Sequence, residues 1–225
     1  FDDLYLKYEA DKTIPKKTVS AQDLFFDLLK ERAETGRIYI MNLDHCNSHS
    51  SFKDKVSMSN LCQEITLPTT PIQHVDDEQG EIALCILSAV NVGALNDLSE
   101  LDNICDLSVR ALEQIIDYQD YPVKAAEVST KKRRSLGIGY IGLAHYLAKN
   151  GVKYSDPEAW ALVDRLSEAF QYHLLRASCD IAKEKGKCEG FERTKYADGL
   201  LPIDHYKKEV DEIVVHKQRM AWETL

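Results

Sequence analysis

The chain of 225 residues is 44% hydrophobic and 29% charged, with a formal net charge of −9, a balance that suits a globular fold with a sizeable core and not a disordered tail. The acidic excess argues against broad nucleic-acid binding, which rests on neutralising phosphates with Lys and Arg, and no apolar run approaches the roughly 20 residues of a membrane span. Six cysteines, at 46, 62, 85, 105, 179 and 188, form neither a C-x-x-C pair nor a zinc-ligand spacing, so a reducing, cytoplasmic setting is expected, with no metal bound by this chain.

In chain order, Ser20 opens a helix with Leu24, Phe25, Leu28 and Leu29 at core-facing spacing and Gly36 as its stop. Residues 37–42 read as a strand feeding a polar loop over 44–51, in which His45, Cys46 and His49 lack a fourth metal partner at usable spacing. Residues 52–60 form a polar approach to the segment that follows, Pro68 and Pro71 end that segment, and 74–80 is an acidic turn. Residues 81–87 read as a short buried strand. Residues 98–118 have the pattern of an amphipathic helix with Leu101, Ile104, Leu107, Leu112 and Ile115 inward and Cys105 on the same stripe. The basic run 131–134 reads as a solvated turn. Further helices are expected over 140–149, from the Asp156-Pro157 cap to about Lys185, and over 202–215. Alternating strands and helices give an α/β fold with mostly parallel strands and no internal domain break.

Two motifs compete for the chemistry. Gly137-Ile-Gly139-Tyr-Ile-Gly142 matches the dinucleotide fingerprint G-x-G-x-x-G, which requires a hydrophobic strand just before it. The preceding residues are Lys131-Lys-Arg-Arg134-Ser135, so the glycines are read instead as close-packing positions at a helix start. The second motif is Asn60-Leu61-Cys62-Gln63-Glu64. It sets an amide, a thiol and a carboxylate at i, i+2 and i+4, which an extended backbone would place on one face about 7 Å apart. A carboxylate beside the thiol is the opposite of the electropositive setting expected around a nucleophilic cysteine.

Asn60-Leu61-Cys62-Gln63-Glu64 resembles the active-site finger loop, here about 57–68, of the catalytic large subunit of class I ribonucleotide reductases. The segments Arg37–Asn42, Asp44–His49, Glu81–Gly93 with Cys85, Arg133–Gly139 and Leu201–Asp204 are also similar to that family, so the likeness covers essentially the whole chain. It implies a piece of a ten-stranded α/β barrel, residues 1–225 being a single piece of the catalytic domain. The regulatory N-terminal region, which holds the ATP and deoxynucleotide effectors, and the C-terminal parts would lie outside it.

The resemblance implies roles as well. Cys62 would carry the thiyl radical that abstracts the 3′ hydrogen of the substrate ribose, Glu64 would take the 3′-hydroxyl proton, and Asn60 would hold the ribose hydroxyls. Leu61 and Gln63 would give backbone contacts to the substrate, and Cys85 would be half of the redox dithiol, its partner lying outside this chain. The implied partners are a metal-containing radical-generating small subunit, the remainder of the large subunit and its homodimer, thioredoxin or glutaredoxin, and a ribonucleoside diphosphate. No cofactor is expected on this chain itself, which alone should be inactive. The alternative reading is a non-catalytic split-gene fragment that acts only on assembly with complementary pieces.

Overall fold

The computed structural model describes residues 2–205 and 219–225, and divides into two compact units, Phe1–Asn42 and Leu43–Leu225. The first unit holds α1 (Asp2–Ala10) and α2 (Ala21–Thr35). The caps of α2 are those the sequence announces: Ser20 Oγ accepts the Asp23 N–H, and Gly36 closes the helix at φ +67°. Its expected core face is different. Leu24, Phe25 and Leu29 are exposed and Leu28 is only half-buried, because neither helix of this unit buries a residue.

The first unit ends and the second opens differently from the reading above. Residues 37–42, at the end of the first, form no strand, and the expected polar loop is a helix at the start of the second, α3 (Leu43–His49). Its Asn47 explains part of the difference: the side-chain amide donates to the Val56 carbonyl and accepts the Val56 N–H, both at 2.8 Å, fastening the helix to the next segment. Val56 is fully buried.

The centre of this unit is a strand–helix–strand arrangement. β1 (Ile86–Asn91) leads to α4 (Glu100–Tyr118) and α5 (Lys124–Arg133), and the chain returns as β2 (Leu136–Ile141), parallel to β1 with Ile86 opposite Leu136 and Leu87 opposite Gly137. The first strand thus begins five residues later than the sequence suggests, because 81–85 are engaged otherwise: Glu81 pairs with Thr70 in an isolated antiparallel bridge, and Ile82 N–H donates to Ala125. The second strand is the glycine motif itself. Leu136, Ile138 and Tyr140 alternate toward the helices, and only Gly142, at φ +78°, stands at the start of α6 (Leu143–Lys149). Gly137 and Gly139 are strand residues, so the first two fingerprint glycines form no phosphate-binding turn.

α4 lies against both strands and against α7 (Pro157–Lys185), and the core forms between them from Val90, Val92, Leu101, Cys105, Leu147, Leu166 and Phe170. Cys105 is fully buried, and burial pushes its thiol up to about 12. Leu107 and Ile115, expected inward on α4, are exposed, whereas Val109 and Ile116 are buried; the apolar stripe of this helix is rotated from the expected one. Burial of α7 follows from its own amphipathic pattern, starting after Asp156-Pro157 and ending at Gly186. Of the helix expected over 202–215, a 3-10 turn covers Pro202–His205; the rest lies outside the described residues. No helix among the described residues is long and apolar enough to cross a membrane.

The basic run is not a solvated turn. It is the end of α5, and Arg133 is buried there with a side-chain exposure of 4%. Its Nε donates to Glu81 at 2.5 Å and its Nη1 to Asp54 at 2.8 Å, while Lys132 reaches the other Glu81 oxygen at 2.8 Å and Arg193 reaches Asp54 at 2.6 Å. The Phe52 ring lies beside the Arg133 guanidinium, 5.9 Å from ring centroid to Cζ. Arg134, next along at φ +48°, turns away to Glu113 and Asp117. Carboxylates far apart in sequence claim these cations one by one, which a local charge count does not reveal.

Candidate active site

The loop 57–68 hangs between two buried anchors, Val56 before it and Pro68 at its end. Its tip is a turn and not a strand. The Gln63 N–H donates to the Asn60 carbonyl at 3.1 Å, and Gln63 sits at φ +63°, in the left-handed region. The Asn60 side chain completes the turn, Oδ1 accepting the Ile65 N–H at 3.0 Å, and Ser59 Oγ donates to the Ile65 carbonyl at 2.7 Å. The extended geometry expected for Asn60, Cys62 and Glu64 is therefore replaced by a hairpin-like knuckle. An amide that bonds its own loop competes successfully with the extended form.

The knuckle presents its side chains outward. Leu61 is 79% exposed at the tip, with Cys62 and Glu64 also exposed and Gln63 half-buried. With Asn60 Oδ1 committed to the loop, its Nδ2 donors have no partner among the described residues and are available to a hydroxyl ligand.

Cys85 stands immediately before β1, half-buried, on the face of the sheet that also carries Leu87. Burial first, and the nearby Glu64 carboxylate second, push its thiol up from the ordinary range. Glu64 is thus close enough to Cys85 to act on it, which the sequence spacing of 21 residues conceals. Glu64→Gln is expected to remove the second cause and quicken alkylation of Cys85 by iodoacetamide a few-fold near pH 8, where the reactive species is the thiolate. An unchanged rate, followed on the Cys85 peptide by mass spectrometry, would mean that the carboxylate does not reach it.

Both halves of this arrangement share one support. Asp54 lies just before the Cys62 loop and Glu81 four residues before Cys85, and Arg133 holds the two carboxylates together. Neither Asn47, Asp54, Glu81 nor Arg133 was singled out as a site residue from the sequence. The density of charge at 131–134 is the signal the sequence offers for them, and local pattern alone makes it a solvated turn.

The model of the ribonucleotide reductase barrel domain matches residues 1–225, spanning both units. The chain belongs to the ribonucleotide reductase family. Its α/β architecture is a portion of that barrel. Over 228 aligned residues it is 56% identical to the ribonucleoside-diphosphate reductase subunit alpha of Haemophilus influenzae and 53% to the ribonucleoside-diphosphate reductase 1 subunit alpha of Escherichia coli, in each case covering 100% of this chain and 30% of the relative. The subunit alpha of Enterobacteria phage T4 is 40% identical over 230 residues, with the same coverage. The chain spans 30% of the length of these curated relatives.

Proposed function

We propose that this barrel portion carries the radical centre of a ribonucleoside-diphosphate reductase, with Cys62 as the hydrogen-abstracting thiol, Glu64 as the base and Cys85 as half of the reducing dithiol. The observation that carries the reading is the knuckle itself: an exposed thiol and an exposed carboxylate held at the tip of a loop whose two ends are buried. Fixed ends and a short internal turn are what a radical site needs, since the reacting atoms must meet within about 3–3.5 Å.

In this reading a partner small subunit oxidises the Cys62 S–H to a thiyl radical. Cys62 then takes the 3′ hydrogen of the ribose, an S–H bond forming as the C–H bond breaks. Glu64 accepts the 3′-hydroxyl proton, and the Asn60 Nδ2 group donates to the ribose hydroxyls. The 2′-hydroxyl departs as water on protonation. Cys85 and its partner thiol supply two electrons and two protons and become a disulfide, and Cys62 returns its hydrogen to C3′. The disulfide is reopened by a dithiol protein such as thioredoxin or glutaredoxin.

The isolated chain should not turn over. Its two-stranded parallel sheet leaves Leu87 60% and Ile141 57% exposed on the outer face, where parallel sheets are ordinarily covered. The test is a chimera in which these 225 residues replace the matching segment of the Escherichia coli relative, assayed on a labelled ribonucleoside diphosphate with the radical subunit and dithiothreitol. Deoxyribonucleotide formation supports the proposal; a folded, assembled chimera without product overturns it in favour of an assembly role.

A further inference from the structure

We propose that Gly137 is a positioning residue for Cys85: the side chain it lacks on β2 leaves the seat that the Cys85 thiol occupies, and so sets the rotamer from which that thiol works. The catalytic consequence rests on the dithiol reading above; the seat itself does not. A Cβ built at Gly137 would fall 2.6 Å from Cys85 Sγ and 2.5 Å from Leu87 Cδ2. The backbone makes no demand for glycine here, because Gly137 is not among the positive-φ glycines Gly36, Gly142, Gly151, Gly186 and Gly199. Glycine inside a strand weakens it, through lost packing and extra unfolded-state freedom. Its presence opposite Leu87 therefore answers a need for space.

That need is local. Gly139, two residues on along the same face, would place a Cβ with nothing within 4 Å. The two atoms crowding Gly137 also differ in what they can do. Leu87 is largely exposed and can swing aside through two torsions, whereas Cys85 has one torsion and is half-buried. A methyl group at 137 must therefore drive Sγ out of the seat and toward solvent. Restoring exposure removes much of what disfavours its thiolate.

The experiment is performed on the intact chimera, comparing Gly137→Ala with Gly139→Ala and following iodoacetamide alkylation of Cys85 near pH 8, with Cys62 as internal reference. Gly137→Ala is expected to accelerate Cys85 by about fivefold or more while Cys62 and the melting temperature hold, and Gly139→Ala to leave both thiols alone. Leu87→Ala combined with Gly137→Ala removes the leucine's crowding and should keep the acceleration. In turnover, Gly137→Ala should lower kcat, counted per folded and assembled enzyme, with dithiol reductant at unchanged KM, while release of tritium from the 3′ position is kept, a pattern that a general loss of structure does not produce. A Cys85 rate within about twofold of the parent, in a folded Gly137→Ala protein, overturns the proposal. Should Gly137→Ala fail to fold, Cys85→Ala added to it decides: recovery of folding confirms that Sγ and the new methyl compete for one space, and no recovery refutes it. Absence of turnover in every variant, with the alkylation pattern intact, would fault the dithiol reading and leave the seat standing.

Discussion

Arg133→Ala is expected to cost about 3–5 kcal/mol of folding stability, the loss typical when one partner of a buried ion pair is removed and its carboxylate is stranded. The side chains of Arg133 and Glu81 are 4% and 5% exposed, and Asp54, at 18%, shares the same guanidinium. Urea denaturation followed by circular dichroism measures the loss, and a change below about 1 kcal/mol would show that the cluster is solvated after all. Arg133→Lys keeps the charge but not the two-pronged reach to Glu81 and Asp54, so it should recover only part of the loss.

The pH dependence has a definite sign. Burial would raise the Glu81 and Asp54 carboxyls, but Arg133, joined by Lys132 at Glu81 and by Arg193 at Asp54, outweighs it and holds both below the ordinary range. A depressed carboxyl contributes stability that is fully present above its unfolded pKa, near 4, and is lost as pH falls through the lower folded value. The parent's share of this stability should thus be flat from roughly pH 5 to 8 and fall below about pH 4, and the gap to Arg133→Ala should narrow as pH falls.

Cys62→Ser is expected to abolish reduction in the chimera, while Cys85→Ser should stop it at a later step. An O–H bond is much harder to oxidise to a radical than an S–H bond, so the serine variant at 62 cannot begin the reaction, and tritium at the 3′ position of the substrate should stay in place. With Cys85→Ser the 3′ hydrogen is still taken, but the two electrons that complete the reduction are missing. Tritium release without deoxyribonucleotide is the expected result. Equal silence of both variants in the tritium assay would remove the distinction between a radical thiol and a reducing thiol.

The sequence was most legible where structure is local. Ser20 and Gly36 bracket α2, and Asp156-Pro157 and Gly186 bracket α7, because caps and breakers act within a turn of where they stand. It was least legible where distant residues decide. β2 is a strand because β1 lies beside it and α4 and α7 cover one face, while its glycines read locally as a helix start and the basic run before it as a turn. At the site, residues 60–64 stand out in the sequence as a set, but their shape does not: the resemblance gives the Asn60 amide to the ribose, and in the fold its oxygen closes the loop. The proximity of Glu64 to Cys85 arises from folding and from no spacing rule.

The ties that hold the Cys62 loop also order events in time. Asp54 is bound by Arg133 and by Arg193, partners 79 and 139 residues downstream, and Phe52 bridges to Thr194. β1 and β2, by contrast, join over a separation of 50 residues, from Ile86 to Leu136. Closing the shorter loop costs less entropy, and a nascent chain can do it first. During synthesis the thiol-bearing loop is therefore tied first locally, through Asn47 and Val56, and gains its long-range ties only as Arg133 and then Arg193 follow. Until Arg193 follows, Asp54 beside that loop lacks one of the two guanidinium groups that hold it, and the loop's outer support is incomplete.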